Sequence, residues 1–253
     1  MNRPGLVAPI ARPVLRSPPV TDLFAILGLG FFLGMRHATD PDHVVAVTTI
    51  VSRERTVRAA VAIGLLWGLG HTATIIAVGG AIVLFGVVIP PRLGLSMEMA
   101  VALLLVVLGA MNLTGALRNI REHAHGAHSH PHSGRASLHG LGRAAALRPL
   151  LIGLVHGLAG SAAVSLLVLA AIHDARWAVV YLVVFGIGTV VGMMLLTLGM
   201  AGPLARASAI SPTVERRLVR ATGLVSLAFG LFLAYRIGVA DGLLVGVPHW
   251  TPR

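Results

Sequence analysis

The chain has 253 residues, of which 56% are hydrophobic and 11% are charged, and its mean hydropathy is +0.86. This composition is typical of an all-α membrane protein with several spans and excludes an ordinary soluble domain. The sequence contains no Cys, which excludes disulfides and thiolate metal sites, and no Lys, which excludes a Walker-type nucleotide loop. The net charge of +11 comes from Arg residues that lie mainly between apolar segments, where they face the lipid bilayer, so we expect no nucleic-acid partner.

The predicted elements begin with a flexible tail at residues 1–21, which lacks the compact apolar region of a signal peptide. A membrane helix needs about 20 apolar residues. On that template six spans follow, at approximately residues 22–51, 59–88, 97–117, 149–172, 177–201 and 219–237. The long loop 118–148 separates the first three spans from the last three, and residues 238–253 form a C-terminal tail.

The first span is too long for one straight helix and contains the dipeptide Asp40-Pro41. Proline removes a backbone donor and disfavours a continuous helix, whereas Asp followed by Pro suits the N-cap and first residue of a new one. The sequence therefore predicts that this helix is broken near Pro41, with the second half beginning there.

Five ionisable side chains cluster at this break: Arg36, His37, Asp40, Asp42 and His43. Ionisable groups within a membrane span are costly, so they mark a functional site. Imidazoles and carboxylates suit Ni²⁺, Co²⁺, Zn²⁺ or Mn²⁺, and a broken helix lets them converge on one ion. We therefore predict a metal site formed by His37, Asp40, Asp42 and His43, with Arg36 as a charge partner. The alternative is a structural Arg36–Asp40 ion pair with packed histidines.

Two further histidines lie within apolar spans. His71, in the second span, is predicted to be a further ligand or a proton relay; its alternative is a hydrogen bond to a neighbouring helix. His156 lies in the fourth span with Ser161 close behind it, and both are candidates for a second-half pathway. For His156 a ligand, a gate and simple packing remain equally open.

The long loop 118–148 is rich in histidine, which makes it a candidate for metal capture. The candidate ligands there are His123, His125, His128, His130 and His132. The alternative is a solvated linker. This loop and the two other loops on its side carry 12 of the 20 Arg residues, which favours the cytoplasmic side.

The two halves resemble each other. Gly34-Met35-Arg36-His37 matches Gly153-Leu154-Val155-His156, Trp67-Gly68-Leu69-Gly70 matches Phe185-Gly186-Ile187-Gly188, and Leu108-Gly109 matches Phe229-Gly230. Because three spans is an odd number, two such repeats enter the membrane in opposite directions, as in many transporters. We predict two three-helix repeats, 22–117 and 149–237, although glycine-rich helices can also match by chance.

His37, four intervening residues and then Asp42-His43 resemble the HX4DH signature of nickel/cobalt transporters of the NiCoT and NicO group. Leu69-Gly70-His71-Thr72 resembles that group's second histidine motif, whereas Pro41 replaces the usual Ala between the two Asp residues. Six spans and a histidine-rich loop look closest to the UreH-like branch. The resemblance implies a secondary transporter of the cell membrane, in bacteria the inner membrane, with Ni²⁺ or Co²⁺ as substrate and with no prosthetic group.

Two other function classes stay open. An intramembrane metallohydrolase lacks its His-Glu-x-x-His pattern here, so we expect no enzyme. A metal-binding accessory or storage protein would depend chiefly on the histidine-rich loop. Transport direction, the choice of metal and a homo-oligomeric state are left open.

Overall fold

The computed structural model describes residues 20–52, 54, 56–115, 143–158, 172 and 174–250. Within this part of the chain the structure is helical and contains no strand. Its seven α-helices are α1 Val20–His37, α2 Pro41–Val51, α3 Val57–Phe85, α4 Pro91–Thr114, α5 Arg143–Gly157, α6 Ala175–Ile210 and α7 Pro212–Tyr235, and a π-helical turn Arg236–Ala240 follows. The predicted all-α class is confirmed.

In the part of the chain that the structure describes, four helices are long and apolar enough to cross a membrane: α3, α4, α6 and α7 with its π-helical extension. The helices α1, α2 and α5 are apolar but shorter. Large apolar side chains point outward from the helices, among them Phe32 (64% exposed) and Leu195 (55% exposed). Because a soluble surface would not expose so many such groups, the outer face suits lipid. The chain is a polytopic membrane protein.

The first span is broken where the sequence predicts. Helix α1 ends at His37, and α2 begins at Pro41 with Asp40 at its N-cap position. Asp40 therefore occupies the predicted N-cap position, but its side chain does not make the capping hydrogen bond to the backbone of α2. The carboxylate instead faces back toward His37, at 2.7 Å from its Nδ1 atom.

Close glycine contacts relate the two halves. A Cβ atom at Gly34 of α1 would clash with the carbonyl of Phe185 in α6, and one at Gly153 of α5 would clash with the carbonyl of Trp67 in α3. The sequence pairs Gly34 with Gly153 and Phe185 with Trp67. The second contact is therefore the counterpart of the first.

The same correspondence holds in two further pairs of contacts. Gly188 of α6 lies against the Phe31 carbonyl, and its counterpart Gly70 of α3 lies against the Leu150 carbonyl. Between α4 and α7 the contacts are Gly109 with Gly223 and Gly230 with Ala102. Small residues let membrane helices approach closely, and here they do so at equivalent places in both halves.

Helix directions follow from the order of these contacts. Helix α1 meets Tyr181 of α6 at Gly30 and meets Gly192 at Met35, so α1 and α6 run parallel. Helix α3 runs antiparallel to α6, because its contacts descend from Met193 at Gly64 to Leu182 at Gly79.

Helix α5 runs parallel to α3, since Gly153 meets Trp67 and Gly157 meets His71. The corresponding helices α1 and α5 therefore run in opposite directions, as two inverted three-helix repeats require.

The exact borders of the predicted repeats and loop stay predictions. Helix α5 begins at Arg143, inside the predicted loop 118–148. Much of that loop lies outside the described residues. The same is true of most of the predicted tail 1–21 and of most of the second half of the span 149–172.

The predicted C-terminal tail 238–253 begins inside the π-helical turn and then packs back on the bundle. Trp250 covers Gly94 of α4 and donates a hydrogen bond from Nε1 to Oε1 of Glu98 at 2.9 Å. Ile237 is buried beside Leu95. This segment therefore fastens the end of α7 to the start of α4.

Candidate metal centre

Four histidines meet where α1 breaks. His37 is the last residue of α1, His43 lies in the first turn of α2, His71 is the central residue of α3, and His156 lies in the last turn of α5. The ring of His43 is at the centre of the group, at 4.7 Å from that of His37, 4.9 Å from that of His71 and 4.4 Å from that of His156. All four residues are at most 7% exposed.

The break explains how His37 and His43 come together. In a continuous helix six residues would turn the two rings to different faces of the helix. Here the turn at residues 38–40 redirects the chain, and Thr39 and Asp40 donate their backbone N–H groups to the carbonyls of Arg36 and His37 at 2.8 and 3.1 Å. These two backbone N–H groups are thereby satisfied without water.

His37 and His71 approach through their Nε2 atoms, which are 3.0 Å apart. On the other side of the His37 ring, Nδ1 lies 2.7 Å from Oδ2 of Asp40. A carboxylate at one ring nitrogen favours a proton there and leaves the other nitrogen as a lone-pair donor. With metal–nitrogen bonds of about 2.1 Å, two ligands at right angles are about 3.0 Å apart, so the Nε2 pair has the spacing of neighbouring metal ligands.

Asp42 connects two histidines from different halves of the chain. Its Oδ1 atom lies 3.0 Å from Nδ1 of His43, and its Oδ2 atom lies 3.0 Å from Nε2 of His156. The side chain is 21% exposed, whereas both imidazoles are fully buried. Because Asp42 is in the first turn of α2, the positive end of the helix dipole stabilises its charge.

Three buried ring nitrogens of this group have no hydrogen-bond partner: Nε2 of His43, Nδ1 of His71 and Nδ1 of His156. Buried polar atoms are normally satisfied, so such a concentration of them calls for a ligand. Two sets of three donor atoms, each within 4.8 Å of one another, are able to hold a metal ion: His37, His43 and His71, and Asp42, His43 and His156.

The structure brings together five of the predicted site residues, namely His37, Asp42, His43, His71 and His156. Asp40 belongs to neither donor set. Its carboxylate contacts Nδ1 of His37 and thereby orients the ring. Arg36 is exposed, and within the described residues no ion pair joins it to Asp40 or Asp42. Ser161 and the loop histidines His123, His125, His128, His130 and His132 lie outside the described residues.

Two aromatic residues beside the site were not predicted. The ring of Trp67 lies 5.4 Å from that of His156 and stacks on His43 at 6.3 Å, and the ring of Phe185 lies 5.7 Å from that of His37. Trp67 and Phe185 are counterparts in the repeat, as are His37 and His156. If the two halves are expected to make equivalent contacts, the repeat predicts one aromatic ring beside each of these two histidines.

The chain is 36% identical over 223 residues to the urease accessory protein UreH of Bacillus sp. (strain TB-90). The aligned region covers 88% of this chain and 96% of that protein. No protein-family model and no solved structure matches the chain. Identity at this level over nearly the whole of both proteins shows common descent, and the chain belongs to the UreH family.

Proposed function

We propose that this protein is a secondary transporter of divalent transition-metal ions, with Ni²⁺ or Co²⁺ as the substrate. The observation that carries the proposal is the convergence of four buried histidines and Asp42 at the helix break. Such a group is costly to bury for packing alone, because three of its ring nitrogens have no partner. A metal ion would satisfy Nε2 of His43, the residue common to both donor sets.

The donor set indicates the class of ion. Imidazole nitrogens with one carboxylate suit borderline divalent metals such as Ni²⁺, Co²⁺ and Zn²⁺, and the absence of Cys argues against Cu⁺. The resemblance of His37, Asp42 and His43 to the HX4DH signature narrows this choice to Ni²⁺ or Co²⁺. The relative's description as a urease accessory protein names a role for that protein, and we extend to this chain a role in the supply of metal.

The position of the site supports transport. Its ligands come from both halves of the chain, and they lie at the ends of α1 and α5 and at the middle of α3. In transporters with inverted repeats, substrates bind near the midplane at broken helices, and rocking of one repeat against the other alternates access. The negative ends of the dipoles of α1 and α5 add to the attraction for a cation.

The energy source that fits this chain is an ion gradient, since the sequence lacks a Walker-type nucleotide loop. Metal ligands must be deprotonated, so binding of the ion releases protons and lower pH releases the ion. Either the membrane potential or proton exchange then drives transport across the cell membrane.

A second candidate function is a metal-binding accessory membrane protein that does not move the ion, and the relative's description favours it. The two functions are separated by deleting residues 123–139. A transporter should keep its flux and change in affinity or regulation, whereas an accessory protein that works through this loop should lose its function.

Flux measurements in proteoliposomes test the proposal. Protein with His43→Ala should show no accumulation of labelled Ni²⁺ or Co²⁺ above empty vesicles, whereas wild type should accumulate it. His249→Ala is the matched control, because His249 is exposed near the C-terminus. Equal uptake by wild type and His43→Ala at equal incorporation would refute the assignment.

A further inference from the structure

We propose that the transported ion occupies two overlapping stations that share His43, and that transport includes a transfer between them. This inference rests on the proposed transport function. It adds to that function a path within the site and a specific role for His156, which lies outside the HX4DH motif.

The first station consists of His37, His43 and His71, and we name it the imidazole station. All three residues are buried, and all three belong to the first half of the chain. In this station the Nε2 atoms of His37 and His71 are 3.0 Å apart, which is the spacing of neighbouring metal ligands. An ion here is enclosed by neutral nitrogen donors, with Asp40 supporting His37 from behind.

The second station consists of Asp42, His43 and His156, and we name it the carboxylate station. It differs from the first station in charge, in exposure and in origin. Asp42 contributes a negative charge and is 21% exposed, whereas the three imidazoles of the first station are buried. His156 comes from the second half, and its counterpart in the repeat is His37.

His43 makes the stations mutually exclusive. Its Nδ1 atom is engaged by Asp42, and its buried Nε2 atom has no partner. Two divalent cations on opposite sides of this one imidazole would repel each other strongly, so one ion is held at a time. That ion stays within reach of His43 while it exchanges its other ligands, so it need not become fully hydrated within the protein.

The inverted repeat provides a way to drive this exchange. The imidazole station uses residues of the first half alone. The carboxylate station joins the halves through the 3.0 Å contact between Asp42 and His156, so rocking opens or closes it. The movement that changes access therefore also decides which station holds the ion.

Ni²⁺ binding to the purified full-length protein tests the inference independently of flux. Because the histidine-rich loop adds metal-binding groups of its own, the site is counted as a difference: wild type should bind one Ni²⁺ per chain more than His43→Ala in equilibrium dialysis. His71→Ala and His156→Ala should each keep one Ni²⁺ with affinity within about tenfold of wild type, because one of two exchanging stations remains. His43→Ala should weaken Ni²⁺ binding by more than roughly 100-fold, which is the upper end of the loss caused by removing an outer-shell partner.

X-ray absorption identifies the ligands in each variant. With His156→Ala the bound Ni²⁺ should have the imidazole environment, and with His71→Ala it should have a mixed environment of imidazole and carboxylate. Both variants should bind Ni²⁺ and fail to transport it. Should an alanine variant not fold in detergent, the corresponding glutamine variant replaces it.

Three results would overturn the inference. A loss of binding in His71→Ala or His156→Ala as large as in His43→Ala would indicate one composite site. If wild type bound two Ni²⁺ per chain more than His43→Ala, alternating use of His43 would be excluded. Normal flux with His156→Ala would remove the carboxylate station from the path. A failure of the transport proposal gives a different pattern, in which wild type shows no flux although Ni²⁺ binds with the expected ligands.

Discussion

The contact between α3 and α5 offers a sharp test of how the fold positions the site. A Cβ atom at Gly70 would lie closer than 3.0 Å to the Leu150 carbonyl oxygen and 3.0 Å from the Leu154 nitrogen. These are backbone atoms of α5, which cannot rotate away as a side chain would. In Gly70→Ala the two helices must therefore move apart, and His71, the next residue, moves with α3.

Gly80→Ala is the matched control, because Gly80 is in the same helix and has no atom within 4 Å of the added Cβ. Both substitutions gain helix propensity of about 1 kcal/mol, which cancels in the comparison. The remaining difference is the overpacking at Gly70, about 1 to 3 kcal/mol. Gly70→Ala should thus be less stable than Gly80→Ala by about that amount.

The assay is unfolding in detergent for the two variants and wild type, together with Ni²⁺ binding by equilibrium dialysis. Gly80→Ala should bind Ni²⁺ as wild type does, whereas Gly70→Ala should bind it more weakly because His71 is displaced from His37. Equal stability and equal Ni²⁺ binding in the two variants would show that the close approach of α3 and α5 does not position the site.

The other predictions concern the surroundings of the site and the fold. Asp40→Asn should weaken Ni²⁺ binding by about 10 to 100-fold, since it removes the carboxylate that orients His37, and X-ray absorption should show unchanged ligands. Ni²⁺ binding should weaken as pH is lowered, because protons compete for the imidazole nitrogens; dialysis over a pH series measures this, and a flat profile would contradict it. Trp250→Phe should destabilise the protein by about 1 kcal/mol in detergent unfolding, because the ring still packs on Gly94 while the hydrogen bond to Glu98 is lost.

Much of the fold was predictable because it depends on local sequence. Apolar segments of membrane length give the helices, and Asp40-Pro41 gives the break, since proline acts on its own helix. The glycine matches between the halves predicted the repeat, because residues at helix contacts must be small in both copies, and the odd number of spans per repeat predicted its inversion.

The residues that meet at the candidate site could be named from the sequence, but their contacts could not. His37, Asp42 and His43 are close in sequence, so a break in one helix was enough to bring them together. The role of Asp40 depends on the direction of its side chain, which points to Nδ1 of His37 instead of capping α2. Arg36 turns outward, and no local pattern distinguishes that from an ion pair across the break.

The sequence by itself determined the class of protein, the position of the helix break and the donor types at the site, because hydrophobicity, backbone geometry and ligand chemistry are properties of neighbouring residues. Only the tertiary structure decided that His156 faces Asp42, that His71 meets His37, and that Trp67 and Phe185 flank the imidazoles. These pairs join residues that are far apart in the chain, and their contacts depend on how α3, α5 and α6 pack. That packing is set by glycine contacts along whole helices, so it is a property of the assembled bundle.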